Sequence, residues 1–114
     1  EEVLVQRQTD HVRISGVVFT RDIIYNRPYY MVTYDDNGST DSVTSGVRGK
    51  TKWIAKNASR EFLEYEFVDL LTAVKEIEKI YEYVSALDIE FAILEDGTVV
   101  IFQVRPLAAA FKII

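Results

Sequence analysis

The dipeptide Asp96-Gly97 lies between two runs of alternating residues, Asp88–Leu94 and Thr98–Arg105, and it restricts the fold more than any other feature. An Asp-Gly pair suits the positive φ angles of a tight β-hairpin turn. The sequence therefore predicts a hairpin with Asp96 and Gly97 as a two-residue turn. The predicted register places three pairs of residues opposite one another: Phe91 and Phe102, Glu90 and Gln103, and Asp88 and Arg105.

The two faces of this hairpin are predicted to differ, because successive side chains of a strand point to opposite faces. One face is wholly apolar and must be buried. It carries Ile89, Phe91, Ile93, Val100, Phe102 and Val104. The other face is apolar near the turn, where Ala92, Leu94, Val99 and Ile101 lie, and polar at the far end.

The polar end of the second face offers side chains that suit a metal and a phosphate. Directly opposed residues have Cβ atoms roughly 4.5–5.5 Å apart, so Glu90 and Gln103 would present two oxygen ligands side by side. Mg²⁺ prefers such ligands and usually joins a few of them to substrate phosphates. The planar guanidinium of Arg105 suits a phosphate. The alternative is a solvated strand face with an Asp88–Arg105 ion pair worth at most about 1 kcal/mol.

A second segment has helical periodicity and predicts one helix over residues 60–83. Its apolar residues form a single stripe: Leu63, Phe67, Leu70, Leu71, Val74, Ile77, Tyr81 and Val84. Acidic residues are concentrated in its first turns, and Lys75 and Lys79 come later, which suits the helix dipole. We interpret this helix as a packing element without chemistry of its own.

Four shorter segments predict strands through their β-branched and aromatic content or their alternation. They are Val3–Gln8, Ile14–Thr20, Tyr29–Tyr34 and Lys52–Lys56. Asp35–Gly38 predicts a turn, and most of Ser39–Lys50 predicts a loop. Strands, one long helix and a final hairpin indicate an α+β fold, an antiparallel sheet with one long helix packed on it, as a single domain over residues 1–114.

Composition excludes several classes of function. The chain of 114 residues has a net charge of -5 and no cysteine, so it lacks the basic face of a nucleic-acid-binding protein and any thiolate chemistry. No apolar run reaches the roughly 20 residues of a transmembrane helix, and we expect a cytoplasmic protein. The start at Glu1 without methionine and the apolar end at Ile114 suggest a fragment of something longer.

Two motifs together carry a resemblance to a known family. D-I-E-F-A at Asp88–Ala92, followed by Q-V-R-P at Gln103–Pro106, resembles the closing motif of the ATP-grasp nucleotide-binding domain of phosphoenolpyruvate synthase and pyruvate phosphate dikinase. V-L-V-Q at Val3–Gln6 and S-G-V-V-F-T-R-D at Ser15–Asp22 resemble earlier strands of that domain in the same order. The resemblance covers nearly the whole chain. It implies an ATP-grasp C-terminal subdomain whose partner lobe is absent.

The resemblance also implies roles for individual residues. Glu90 and Gln103 would bind the Mg²⁺ of Mg-ATP, Arg105 would contact the phosphates, and Asp88 would support the site. Strand pairing led to the same four residues independently. Within G-S-T-D-S-V-T-S-G at Gly38–Gly46, Asp41 takes the place of a family glutamate that is one methylene longer. Asp41 is either a nucleotide contact or an ordinary loop aspartate. The only histidine, His11, is interpreted as a loop residue.

The function implied by the resemblance is phosphoryl transfer from ATP to a histidine, with phosphoenolpyruvate formed from pyruvate. The implied partners are an N-terminal ATP-grasp lobe and a phosphohistidine domain. Q-V-R-P is closer to the synthase and antibiotic-phosphotransferase branch than to the dikinases. Phosphoryl transfer to another small molecule, such as an antibiotic, is therefore an alternative. A degenerate, non-catalytic ATP-grasp module is the other alternative, because Asp41 replaces the glutamate. We expect these 114 residues alone to be inactive and to bind ATP weakly.

Overall fold

The structure is a computed structural model that describes residues 11–36 and 49–107. Its elements in chain order are β1 (Val12–Phe19), β2 (Tyr29–Asp35), β3 (Lys50–Ala55), a short 3-10 helix (Arg60–Phe62), α1 (Tyr65–Ile80), β4 (Leu87–Leu94) and β5 (Val99–Pro106). The predicted strand Val3–Gln8 lies outside these ranges, as does most of the predicted turn and loop between β2 and β3. No helix in the described ranges is long and apolar enough to cross a membrane.

The strands form one antiparallel sheet with the order β3-β2-β1-β4-β5. β1 is the central strand and pairs with β2 on one side and with β4 on the other. The chain leaves the sheet at the edge strand β3, continues through α1 and returns at β4, so the helix packs on one face of the sheet. The predicted α+β fold, an antiparallel sheet with one helix, is confirmed.

The core lies between α1 and one face of the sheet. Phe67, Leu70, Leu71 and Val74 of α1 are buried, and the ring of Phe67 meets that of Tyr34 edge-on at 5.1 Å between centroids. The strands contribute Ile14, Val18, Tyr30, Val32, Tyr34, Leu87, Ile89, Phe91 and Ile93. The other members of the predicted helical stripe, Leu63, Ile77, Tyr81 and Val84, pack at the margin of this core.

The helix is shorter than the predicted span of residues 60–83. Leu63 and Glu64 are extended, with ψ angles of 145° and 138°, and they separate the 3-10 helix from α1. At the other end Tyr81 leaves the helical conformation, with a ψ angle of 35°. The apolar periodicity continues through both ends because these residues still face the core. The pattern therefore reports burial beyond the true helix boundaries.

A polar cluster joins α1 to the sheet. The hydroxyl of Tyr30 on β2 donates a hydrogen bond of 2.6 Å to one oxygen of Glu78, and the Lys56 ammonium donates one of 2.8 Å to the other oxygen. Burial, together with the neighbouring Glu78 carboxylate, raises the pKa of Tyr30. Tyr30 therefore remains a neutral donor, and the cluster holds the helix in position over β2 and β3.

The connection between β1 and β2 is organised around Asp22, which has no solvent exposure. One oxygen of Asp22 accepts the backbone N–H groups of Ile24 (3.0 Å) and Tyr25 (3.3 Å). The other oxygen accepts the Arg27 guanidinium at 2.9 Å. Residues 21–28 are therefore an ordered loop, which holds the exposed side chains of Ile24 and Tyr25 at the end of the sheet.

Candidate functional site

The β4–β5 hairpin has a turn of three residues, Glu95–Gly97. The N–H of Leu94 donates to the carbonyl of Thr98 at 2.8 Å, and the N–H of Gly97 donates to the carbonyl of Leu94 at 2.9 Å. Gly97 has a φ of 92°, which fits the left-handed residue of a three-residue hairpin turn. The prediction of a two-residue turn is wrong. The extra residue shifts the pairing, so that Phe91 lies opposite Ile101 and not Phe102.

A β-bulge further along β5 compensates for this shift. Phe102 is the extra residue, since Phe91 pairs with Ile101 while Glu90 pairs with Gln103. Beyond the bulge, Asp88 lies opposite Arg105. The predicted pairing of the four polar residues is thus confirmed, although the turn that was used to derive it is not.

The bulge also corrects the predicted apolar face of β5. Val99, Ile101 and Val104 pack against the core, whereas Phe102 is 38% exposed. Placing Val100 and Phe102 on the buried face was wrong. A turn one residue longer reverses the alternation of β5 relative to β4, so Val99 and Ile101 face the core and not the second face as predicted. The bulge at Phe102 reverses the alternation again, so Val104 keeps its predicted place on the buried face.

The four polar residues line a depression of about 350 Å³ together with Val17 and Phe19 of β1. It lies on the face of the sheet opposite to α1. Val17 is directly opposite Glu90, and Phe19 is directly opposite Asp88, because β1 pairs with β4. The depression therefore combines an apolar floor from β1 with polar side chains from the hairpin.

Asp88 and Arg105 form an ion pair, with 2.6 Å between an Arg105 terminal nitrogen and an Asp88 oxygen. The Asp88 side chain is only 11% exposed, whereas that of Arg105 is 62% exposed. A guanidinium has five N–H donors, so this pairing leaves donors for a second anion. The buried carboxylate can orient Arg105 while the exposed part of the guanidinium meets a ligand.

Glu90 and Gln103 are both exposed and lie directly opposite each other. Within residues 11–36 and 49–107, neither side chain is engaged in a hydrogen bond or an ion pair. Their oxygens are hard donors of the kind that Mg²⁺ takes, and Mg²⁺ keeps waters and phosphate oxygens in its remaining positions. These two residues therefore fit a Mg²⁺ ion that arrives with a phosphate ligand.

Metal binding by protein groups alone has little support in the described ranges. They contain no group of three or more His, Cys, Asp or Glu side chains that could hold a metal ion. A site with two protein donors is completed by its substrate, as is usual for Mg²⁺ bound with nucleotide phosphates. Metal affinity at the depression is thus expected to depend on the phosphate ligand.

The other predicted residues do not join the depression. Asp41 lies outside the described residues. His11 is exposed at the start of β1, and its Nδ1 is 3.9 Å from a carboxylate oxygen of Glu95 in the hairpin turn. That turn is at the opposite end of the hairpin from Asp88 and Arg105. The interpretation of His11 as a residue outside the site agrees with this position.

Val17 and Phe19 are the site residues that sequence analysis did not identify. Alternation along S-G-V-V-F-T places both side chains on one face of β1. Their position beside Glu90 and Asp88 depends on the pairing of β1 with β4, which joins segments about 70 residues apart in the chain. No local pattern specifies that pairing.

A second depression, of about 270 Å³, lies between β3 and the start of α1. Its apolar lining includes Ile54, Leu63 and Phe67. Its charged groups, Lys52 and Glu64, form an ion pair with each other. It lacks the two unpaired oxygen donors that Glu90 and Gln103 provide, so the depression at the hairpin is the better candidate.

No family model matches the chain, and the comparison with curated proteins finds no significant similarity. The fold and site define a small α+β domain that presents two exposed oxygen donors and a carboxylate-bound arginine on the sheet face opposite to α1. The functional proposal rests on that arrangement and on the motifs D-I-E-F-A and Q-V-R-P.

Proposed function

We propose that this chain is the Mg-ATP-binding lobe of an ATP-dependent phosphotransferase of the ATP-grasp kind, similar to phosphoenolpyruvate synthase. The observation that carries the proposal is the opposition of Glu90 and Gln103 beside the Asp88–Arg105 ion pair. Two exposed oxygen donors and one oriented guanidinium suit a metal-bound polyphosphate. The apolar floor of the depression is compatible with the rest of a nucleotide.

Each of the four residues has a distinct role in this proposal. Glu90 and Gln103 hold the metal, and Arg105 binds the phosphates through the donors that Asp88 leaves free. Asp88 is a positioning residue, because its carboxylate is nearly buried and faces the guanidinium. The Mg²⁺ that arrives with ATP neutralises phosphate charge, and the lobe contributes mainly by positioning and electrostatic stabilisation.

The proposed reaction is transfer of a phosphoryl group from ATP to a histidine, leading to phosphoenolpyruvate from pyruvate. The Q-V-R-P motif supports this branch, which includes transfer to other small acceptors such as antibiotics. A second lobe would cover the phosphates, and a separate phosphohistidine domain would carry the phosphoryl group. Both would be partners of this chain in the intact protein.

A non-catalytic ATP-grasp module is the second candidate. The observation that favours it is the small number of anionic groups at the site. Of the two carboxylates that line the depression, Asp88 is already neutralised by Arg105, and Glu90 alone is left for a metal. Such a site suits binding without turnover as well as it suits catalysis.

The substitution Glu90→Ala in the full-length protein tests the enzymatic proposal. Removal of a residue that only hydrogen-bonds to a metal ligand typically lowers activity by about 10–100-fold. Removal of a direct metal ligand should lower it at least as much, so ATP turnover should fall by about 100-fold. A coupled assay of ATP consumption measures it at saturating and at limiting Mg²⁺. Excess Mg²⁺ should restore part of the activity.

The matched control is Glu76→Ala, which removes an exposed carboxylate from α1, on the other side of the sheet. It should leave turnover unchanged. Unchanged turnover in the Glu90→Ala protein as well would exclude the enzymatic role. Magnesium-dependent ATP binding without turnover in the unsubstituted protein would instead establish the non-catalytic module.

A further inference from the structure

One row of directly opposed residues crosses all five strands of the sheet, one residue on each strand. The members of this row, which we call the transverse row, are Trp53, Met31, Phe19, Asp88 and Arg105. Directly opposed residues point to the same face of a sheet. The row therefore lies on the face that carries the depression, and it extends this face from the hairpin to the edge strand β3.

The transverse row changes from apolar to charged along its length. Trp53, Met31 and Phe19 occupy β3, β2 and β1, and the ion pair of Asp88 and Arg105 occupies β4 and β5. Neighbouring strands are roughly 4.8 Å apart, so the backbone positions of Trp53 and Asp88 are about 14 Å apart. A ligand that fits this row is flat and apolar at one end and anionic at the other. An extended nucleoside triphosphate has this form.

Trp53 is the member of the row best suited to stacking. Trp53 is 42% exposed, whereas the neighbouring Met31 is only 5% exposed. The Trp53 side chain also lies near the buried carboxylate of Asp22, where it contributes to the lowered pKa of that carboxyl. The indole is thus close to the β1–β2 loop, and its exposed part is available to a ligand.

We propose that Trp53 is the base-stacking residue for a nucleoside triphosphate whose phosphates reach Glu90, Gln103 and Arg105. This inference rests on the proposed function, because it assumes that the hairpin binds the phosphates. The base lies against Trp53, the sugar passes over the nearly buried Met31 to contact Phe19, and the triphosphate ends in the depression. Stacking involves only the flat face of a base. Trp53 therefore contributes affinity for the base but does not distinguish one base from another by hydrogen bonds to its edge.

Calorimetry on the full-length protein with Trp53→Ala tests this position, with ATP and inorganic tripolyphosphate as probes in Mg²⁺. Loss of one base–aromatic contact is expected to weaken ATP binding about tenfold. Tripolyphosphate has no base, so its Kd should not change. Trp53→Phe keeps a ring but loses the indole N–H, and it should retain most of the ATP affinity.

The control is Tyr83→Ala, which removes an aromatic side chain that is 81% exposed outside the transverse row. It should change neither Kd. The stacking role is overturned if Trp53→Ala leaves ATP affinity unchanged, or if it weakens ATP and tripolyphosphate equally, as a merely structural role would. Failure of the proposed function is distinguishable, because then neither probe would bind the unsubstituted protein in a manner that depends on Mg²⁺ and Glu90.

Discussion

At the scale of a single residue, Asp22 shows how a charged carboxylate is stabilised without exposure to solvent. Burial by itself would raise the pKa of Asp22. Hydrogen bonds from the backbone of Ile24 and Tyr25 and from the Arg27 guanidinium outweigh burial, and the pKa of the carboxyl lies below its ordinary value of 3.8. The charged form is therefore the stable one, and it organises a loop that includes two exposed apolar side chains.

A carboxyl with a lowered pKa stabilises the folded state above its ordinary pKa and loses that effect as the pH falls through the lowered value. We therefore expect Asp22→Asn to lower the melting temperature at pH 7 by several degrees. The difference from the unsubstituted protein should shrink below about pH 3.8. Thermal unfolding followed by circular dichroism between pH 7 and pH 2 measures it.

The comparison isolates Asp22 because other acid-sensitive groups are common to both proteins. A hydrogen bond from Lys50 lowers the pKa of Asp36, and one from the Thr98 backbone lowers that of Asp96. Both groups contribute equally with and without the substitution. A constant difference in melting temperature across the whole pH range would contradict the role given to the Asp22 charge.

At the scale of an element, the β4–β5 hairpin combines two irregular features that offset each other. The three-residue turn advances the register by one residue, and the bulge at Phe102 restores it before Gln103. As a result Val99 and Ile101 face the core near the turn, while Gln103 and Arg105 face the depression. The bulge is thus part of what places polar ligands and core residues on opposite faces of the same strand.

Gly97 is the residue of this turn that adopts a positive φ angle. Its φ of 92° is unfavourable for L-residues with a side chain, and no atom lies within 4 Å of the place where a Cβ would stand. Gly97→Ala should therefore lower the free energy of unfolding by about 1–2 kcal/mol through backbone strain alone. Urea denaturation measures it. Gly97→Asn should cost less, since asparagine tolerates this region, and equal costs would contradict the explanation.

At the scale of the whole molecule, one face of the sheet serves core packing and the other serves the proposed ligand binding. One face packs against α1 and supplies the core, and the other carries the transverse row and the depression. β4 contributes to both faces through alternate residues: Ile89 is fully buried in the core, and its neighbours Asp88 and Glu90 line the site. Stability and ligand binding should therefore respond to different substitutions in the same strand.

Two substitutions one residue apart test this separation in the full-length protein. Ile89→Val should lower the free energy of unfolding by about 0.5–1.5 kcal/mol and leave the Kd for Mg-ATP unchanged. Glu90→Gln should change stability by less than about 0.5 kcal/mol, because the side chain is exposed, and weaken Mg-ATP binding. Chemical denaturation and calorimetry measure both quantities. A parallel change of both in either variant would contradict the separation.

Much of the fold could be predicted from local patterns. The apolar stripe from Leu63 to Val84 indicated the helix and its buried face, because residues three and four apart share one side of a helix. The alternation around Asp96-Gly97 indicated a hairpin, and the pairing of Glu90 with Gln103 is confirmed. That pairing was obtained with the wrong turn length, so its agreement also depends on the bulge at Phe102.

The sequence by itself determined the fold class, the packing face of the helix and the four polar residues that lie together on the hairpin. These features depend on periodicity within short segments. Only the tertiary structure decided that Val17 and Phe19 form the floor beside those residues, that Trp53 ends the transverse row, and that Asp22 is buried within the β1–β2 loop. The physical reason is that the order of the strands follows from hydrogen bonds between segments far apart in the chain, which no local pattern specifies.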